Sequence, residues 1–159
     1  MATVNNITRL LDSRKITYQV YETPAEKLGA IETADFLNVA PEMVFKTIVL
    51  TREKGKKPIL AVIPAPGTVD PKLLAAFLGE KKVFLPTEHE AEQITGLQAG
   101  GISPLTLINK GFQVVIDSIA QNYSEIHVSG GQRGLNIKLS VTDLINLTNA
   151  RVSLISRIF

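Results

Sequence analysis

Between Glu125 and Leu139 the sequence alternates apolar and polar residues on both sides of a glycine-rich turn, Gly130-Gly131-Gln132-Arg133-Gly134. Period-2 patterning of this kind commits the stretch to a β-hairpin, and the parity of its apolar residues commits the pairing. Ile126 and Val128 share one face of the outgoing strand, and Ile137 and Leu139 share one face of the return. Pairing apolar with apolar sets Val128 opposite Ile137 and Ile126 opposite Leu139. The same register sets Ser129 opposite Asn136 and His127 opposite Lys138 on the reverse side. A chain with this hairpin must build a sheet with one face to bury and a polar face beside a turn rich in glycine.

The rest of the chain supplies elements for that sheet. Residues 6–15 carry Ile7, Leu10 and Leu11 on one helical face, 18–22 read as a strand, and 31–39 as a second helix with Pro41 starting one more turn. The apolar run 44–50 reads as a central strand. It is linked through 51–57, which contain Gly55, to a hairpin partner at 59–63, ended by Pro64, Pro66 and Gly67. Asp70 before Pro71 starts a helix with Leu73, Leu74, Phe77 and Leu78 on its apolar stripe, and Gly79 stops it. Residues 82–85 read as a brief strand. Thr87 and Glu90 have capping-box spacing for a helix running to Thr95 and stopped by Gly96. Residues 99–105 read as a loop, 114–117 and 152–155 as strands, and Ser140 with Asp143 opens a last helix through Leu147. No repeat or low-complexity linker divides the chain. The expected fold is a single α/β (α+β) domain over residues 1–159, with a mixed, curled or barrel-like sheet flanked by helices.

Composition narrows the chemistry. A chain of 159 residues with 45% hydrophobic content can bury one sizeable core, and the absence of cysteine removes disulfides, thiolate metal sites and any cysteine nucleophile. Residues 1–15 lack the apolar run of a signal peptide, and no stretch approaches the roughly 18 apolar residues of a membrane span. A cytoplasmic protein that meets no membrane is the expectation. A net charge of +2 is too small for a duplex-binding protein, so DNA is not an expected partner, while a short contact with a nucleic-acid end stays compatible. The basic cluster Arg52, Lys54, Lys56 and Lys57 reads as a solvated hairpin tip.

Several residues have two readings when taken alone. Lys46 alternates with Val44, Ile48 and Leu50 on one face of an apolar strand; either a ligand anion pairs its charge, or its stem lies along the sheet and its ammonium reaches water. Gly130 and Gly131 either punctuate a turn or let backbone amides approach an anion or carbonyl oxygen. Gly100, Gly101, Ile102, Ser103 and Pro104 form either a connector or a rigid loop that positions amides. His89 reads as a solvated helix-face residue. His127 and Ser129 share a face about 6 to 7 Å apart, too far for the direct hydrogen bond that serine activation needs.

Three ordered motifs, Phe45-Lys46-Thr47, Gly100-Gly101-Ile102-Ser103-Pro104-Leu105 and Val128-Ser129-Gly130-Gly131-Gln132-Arg133-Gly134-Leu135, resemble the YbaK/EbsC group of aminoacyl-tRNA deacylases across nearly the whole chain. That group is related to the editing domain inserted in bacterial prolyl-tRNA synthetases. The resemblance implies metal-independent, cofactor-free cleavage of the ester in mischarged aminoacyl-tRNA, such as cysteine or alanine on proline tRNA, by substrate-assisted chemistry or by water. It implies that Lys46 holds a phosphate of the tRNA acceptor end. The loop of Gly100, Gly101, Ile102, Ser103 and Pro104 would frame the aminoacyl group. Ser129 with the amides near Gly130 and Gly131 would bind the ester or ribose, and Tyr21 would border the pocket. An aminoacyl-tRNA synthetase is an open point as a further partner. Asn136 departs from an aspartate common in the family; it cannot carry charge or act as a base, which leaves a non-catalytic binding or regulatory module as the alternative.

Overall fold

The computed structural model describes residues 5–53 and 55–158. In chain order the elements are α1 (Asn6–Ser13), β1 (Tyr18–Glu22), α2 (Ala30–Leu37), β2 (Phe45–Leu50), β3 (Ile59–Pro64), β4 (Gly67–Val69), α3 (Pro71–Leu78), α4 (Glu88–Thr95), β5 (Gln113–Asp117), β6 (Glu125–Ser129), β7 (Leu135–Ser140), α5 (Val141–Thr148), β8 (Arg151–Ser153) and β9 (Ser156–Ile158). Single 3-10 turns lie at Pro41–Met43, Ile108–Lys110 and Ser118–Asn122. Among the described residues no helix is long and apolar enough to cross a membrane.

Alternation decides the register. The β6–β7 hairpin pairs Ile126 with Leu139, Val128 with Ile137, His127 with Lys138 and Ser129 with Asn136, each as the apolar parity requires. Strand β1 adds to the free edge of β7, extending the apolar rows to Tyr18–Leu139–Ile126 and Val20–Ile137–Val128. A second sheet has the order β2-β3-β5-β8; β2 and β3 are antiparallel, and the other two pairings are parallel. The two sheets meet at one parallel bridge between Val44 and His127, so β2 runs beside β6 and the sheets curl around a common core.

That core takes the inward rows of both sheets, with Phe45, Val49, Leu60 and Val62 from β2 and β3, closed by Ile7 and Leu11 of α1 and Leu144 of α5. On the reverse face of the second sheet, Leu50, Ile59, Ala61 and Ile63 pack under Leu74 and Ala75 of α3. Strand β3 is therefore buried on both faces, which is why its sequence is a continuous apolar run rather than an alternating one. A small third cluster of Ala34, Val44 and Ala65 seats α2 against the start of β2.

Helix boundaries follow their caps. Asp70 Oδ1 accepts from Lys72 N at 3.0 Å and Leu73 N at 3.2 Å, and Thr87 and Glu90 close the reciprocal box that begins α4. Three expectations give way to tertiary context. Residues 82–85 form no strand; only Phe84 makes a bridge, to Thr51. The expected strand over 152–155 splits into β8, which pairs with β5, and β9, which turns the corner to pair with β4. Strand β3 ends at Pro64 as expected, and the short strand β4 follows it from Gly67. The basic tip is only partly solvated, because Arg52 and Lys56 both grip Glu80, with Arg52 also bonded to Gln113; Lys54 lies outside the described residues.

Asp117 holds the split C-terminal segment in place. It is fully buried, and its carboxylate accepts from Ile119 N, Ile155 N and the Ser156 hydroxyl. Asp117→Ala orphans three donors, and chemical denaturation is expected to show a loss of about 3 kcal/mol. At Asp70 the Arg157 guanidinium, with the amides of Leu73 and Lys72, holds the carboxyl below its ordinary value against the opposing effect of burial. A depressed carboxyl contributes stability above its unfolded value and loses it as pH falls through the folded one. The thermal midpoint of Asp70→Asn should thus lie below that of the wild type at neutral pH, and the gap should shrink on acidification.

Candidate active site

Side chains of like parity fall into rows across a curled sheet. Tyr21 opposes Asn136, and Asn136 opposes Ser129. Continuing the parallel Val44–His127 register by two residues sets Lys46 beside Ser129. Four residues from four strands thus share one row on the side of the sheet opposite the main core. The other polar row of the hairpin carries Gln19, Lys138 and His127.

Over the first row opens a cleft of about 520 Å3, lined among others by Lys46, Ser129, Asn136, Gly100 and Ile102. Its far wall comes from residues 26–30 with the first turn of α2, and from Leu85, Pro86 and Glu88 at the start of α4. Lys46 is half-buried, and its ammonium donates to Ala65 O at 3.1 Å. Burial pulls its pKa below the ordinary lysine value. One backbone carbonyl compensates that charge only in part, so the two remaining N–H donors favour an anionic ligand.

The two glycine-bearing loops are pressed together behind the lining residues. A methyl group built on Gly101 would stand 2.9 Å from Gln132 Cα and 3.1 Å from Arg133 N, so the two backbones touch. Arg133 reinforces the contact by donating from Nε to Ala99 O at 2.8 Å. Gly131 has φ +91°, and a methyl there would meet the Thr106 hydroxyl at 2.6 Å. The Gly130 amide closes the hairpin onto Leu135 O at 2.9 Å, and the Gly131 amide donates to Ser129 Oγ at 3.2 Å. Ser103 is fully buried and accepts from Leu105 N, with Pro104 buried beside it. Of the residues singled out in the sequence, Lys46, Ser129, Asn136, Gly100 and Ile102 line the cleft; Tyr21, Gly101, Ser103, Pro104, Gly130 and Gly131 support that lining.

His127 is 2% exposed, and its hydrogen bond goes to Asn136 rather than to Ser129. Its Nδ1 lies 2.8 Å from Asn136 Oδ1, and its ring stacks at a tilt on Tyr21 with centroids 5.3 Å apart. Desolvation drives its pKa down, assisted by the Lys138 charge, against the Asn136 bond and Glu125, which raise it. A serine nucleophile with an adjacent base is therefore not assembled here. Among the described residues no cluster of His, Asp and Glu could hold a metal ion either.

The far wall is what sequence reading missed. Thr23 N donates to Gly134 O at 3.0 Å, tying the connection after β1 to the hairpin, and Lys27 reaches across the mouth to Glu88 Oε1. Neither contact has a local signature in the sequence, since each joins segments tens of residues apart.

Known proteins share this arrangement. Residues 25–147 match the sequence profile of the family described as an aminoacyl-tRNA editing domain. The chain is 35% identical over 148 residues to a candidate Cys-tRNA(Pro)/Cys-tRNA(Cys) deacylase, EbsC, of Enterococcus faecalis, a match covering 92% of this chain and 89% of the relative. It is 29% identical over 102 residues to a proline–tRNA ligase of Streptococcus uberis, covering 64% of this chain and 16% of the ligase. The crystal structure of a candidate trans-editing enzyme for prolyl-tRNA synthetase superposes with a TM-score of 0.80 at 22% identity, covering 98% of this chain and 99% of that one, which shows the shared fold. With the profile spanning most of the strands and the cleft they enclose, the chain belongs to the aminoacyl-tRNA editing domain family.

Proposed function

We propose that this protein acts in trans as a deacylase that cleaves the ester of mischarged aminoacyl-tRNA. Its substrates would carry a small amino acid, with cysteine on proline tRNA first among them, and the whole chain would serve as one editing domain in the cytoplasm. The observation that carries this reading is the partly desolvated Lys46 ammonium in a cleft floored by Ser129 and Asn136 and edged by Gly100 and Ile102. An ammonium so placed suits a phosphate of the tRNA acceptor end. Hydroxyl and amide groups next to it suit the oxygen atoms of the terminal ribose and the ester, and the glycine loop limits the room for the amino-acid side chain.

The protein contributes position and electrostatics rather than a nucleophile. With His127 engaged elsewhere, the attacking group must come from the substrate or from water. For a cysteinyl ester, the thiol sulfur bonds to the carbonyl carbon, the carbon–oxygen bond to the ribose breaks, and the thiol proton ends on the ribose oxygen. A non-thiol amino acid needs a water molecule in that role. A footprint confined to the acceptor end agrees with the net charge of +2, and a synthetase that hands over the tRNA would supply the rest of the recognition.

Incubation with Cys-tRNA(Pro), Ala-tRNA(Pro) and cognate Pro-tRNA(Pro) tests the reading, with faster loss of the first two expected. Lys46→Ala should lower kcat/KM by about 100-fold, the scale of a lost charge-stabilising group. Release no faster with protein than without would remove the proposal. Ser129→Ala should cost about tenfold, as for a lost hydrogen bond; complete loss would instead point to a serine nucleophile.

A further inference from the structure

We propose that His127 is a positioning residue that fixes Asn136 as a hydrogen-bond donor toward the cleft. The substrate group received there is then an acceptor oxygen, and the protein offers no base at that point. The inference rests on the deacylase reading for the identity of that oxygen, but its geometric content stands apart from it.

An asparagine side chain presents a donor or an acceptor according to which way its amide is turned, and the neighbour that binds one end decides the other. Here Oδ1 lies 2.8 Å from His127 Nδ1. A carbonyl oxygen only accepts, so Nδ1 carries the proton. The Asn136 NH2 group is thereby left for the cleft that Asn136 lines, and among the described residues no side chain or carbonyl takes it.

The imidazole has little freedom to reverse this arrangement. It is 2% exposed, with Tyr21 of β1 tilted against its face and Val44, just before β2, bridged to its backbone. The charged neighbours are Lys138 on β7, directly across the hairpin, and Glu125 on the histidine's own strand. These two lie 4.0 Å apart as a loose ion pair, and the hydrogen bond of the ring goes to Asn136. Burial favours the neutral ring, and a neutral ring with a proton on Nδ1 has none on Nε2.

Ser129 points the same way. Its Oγ accepts from the Gly131 amide, which leaves the hydroxyl proton for the cleft. The row then reads ammonium, hydroxyl, amide NH2, three donors in succession from Lys46 through Ser129 to Asn136. Such a floor selects an oxygen-rich, electron-rich group, as a phosphate, ribose and ester carbonyl together are. No carboxylate or imidazole stands in that row to take a proton from water or from a substrate thiol.

The protein contains two histidines, so imidazole 15N–1H spectra with His89→Gln as the assignment control read the ring directly. The expected result is an Nδ1–H, Nε2-unprotonated ring for His127 that is still neutral as the pH falls through the ordinary histidine value. An Nε2–H tautomer, or a His127 protonated at neutral pH, would overturn the proposal whether or not the protein deacylates any tRNA. In Asn136→Asp the His127 pKa should rise above its value in the unsubstituted protein. If the deacylase reading holds, kcat/KM should fall about tenfold as a donor is exchanged for an acceptor, and an equal or higher kcat/KM would refute the donor role. His127→Gln, whose amide can still donate to Asn136, should keep kcat/KM within about threefold, while His127→Leu should lose about tenfold, mostly in kcat, at an unchanged thermal midpoint of His127→Gln. Equal kinetics for the Gln and Leu variants would refute positioning.

Discussion

The seam where β2 comes alongside β6 determines whether this chain has a site at all. Among the described residues only one bridge, Val44 to His127, joins the two larger sheets, yet it aligns the lysine of one with the serine and asparagine of the other. Without that alignment Lys46 would be a lysine on an apolar strand with its stem laid over the sheet. The seam is held less by its own hydrogen bonding than by what lies on either side. Inside, Phe45 and Val49 share a core with Ile126 and Val128; outside, Ala34 and Val39 pack on Val44. Burial on both faces fixes a contact that a single bridge could not.

Polar groups at the seam are consequently expensive to leave unmatched, which explains how they are arranged. His127 and Asn136 are each nearly excluded from water and share one hydrogen bond. Lys46 satisfies one of its donors on Ala65 O, a carbonyl available because Ala65 continues past β3 and hydrogen-bonds through its amide to Val44 O. What Lys46 and Asn136 leave uncompensated faces the cleft, so their demand for a ligand is concentrated at one place.

Much of the fold could be read from residues acting on near neighbours. The β6–β7 register follows from the parity of Ile126, Val128, Ile137 and Leu139, and the ends of α3 and α4 follow from Asp70, Gly79, Thr87 and Gly96. Lys46 and the two glycine loops were also legible, through motifs rather than periodicity. Long-range information was not. Nothing near His127 announces that the chain entering β2 will lie against it, so a histidine in a row that looks solvent-facing is in fact buried. The split of the C-terminal strand is dictated by Asp117, some forty residues upstream, whose carboxylate captures Ile155 and Ser156 and forces the corner between β8 and β9. The wall formed by residues 26–30 and α2 was invisible for the same reason: its anchor is a hydrogen bond from Thr23 to the far end of a hairpin more than a hundred residues later.

The bare backbone at Gly101 has an implication for how such a site can drift over generations. Its neighbours across the contact are main-chain atoms of Gln132 and Arg133, which cannot swing aside as a flexible side chain would. Exchange at the cleft rim, for instance at Leu85 or Thr33, alters only what fills the space and leaves the geometry standing. Exchange at Gly101 pries two segments apart and displaces Gly100 and Ile102 together. The shape of the rim can therefore be altered one side chain at a time while this junction keeps its packing, a division between an adaptable lip and a rigid joint.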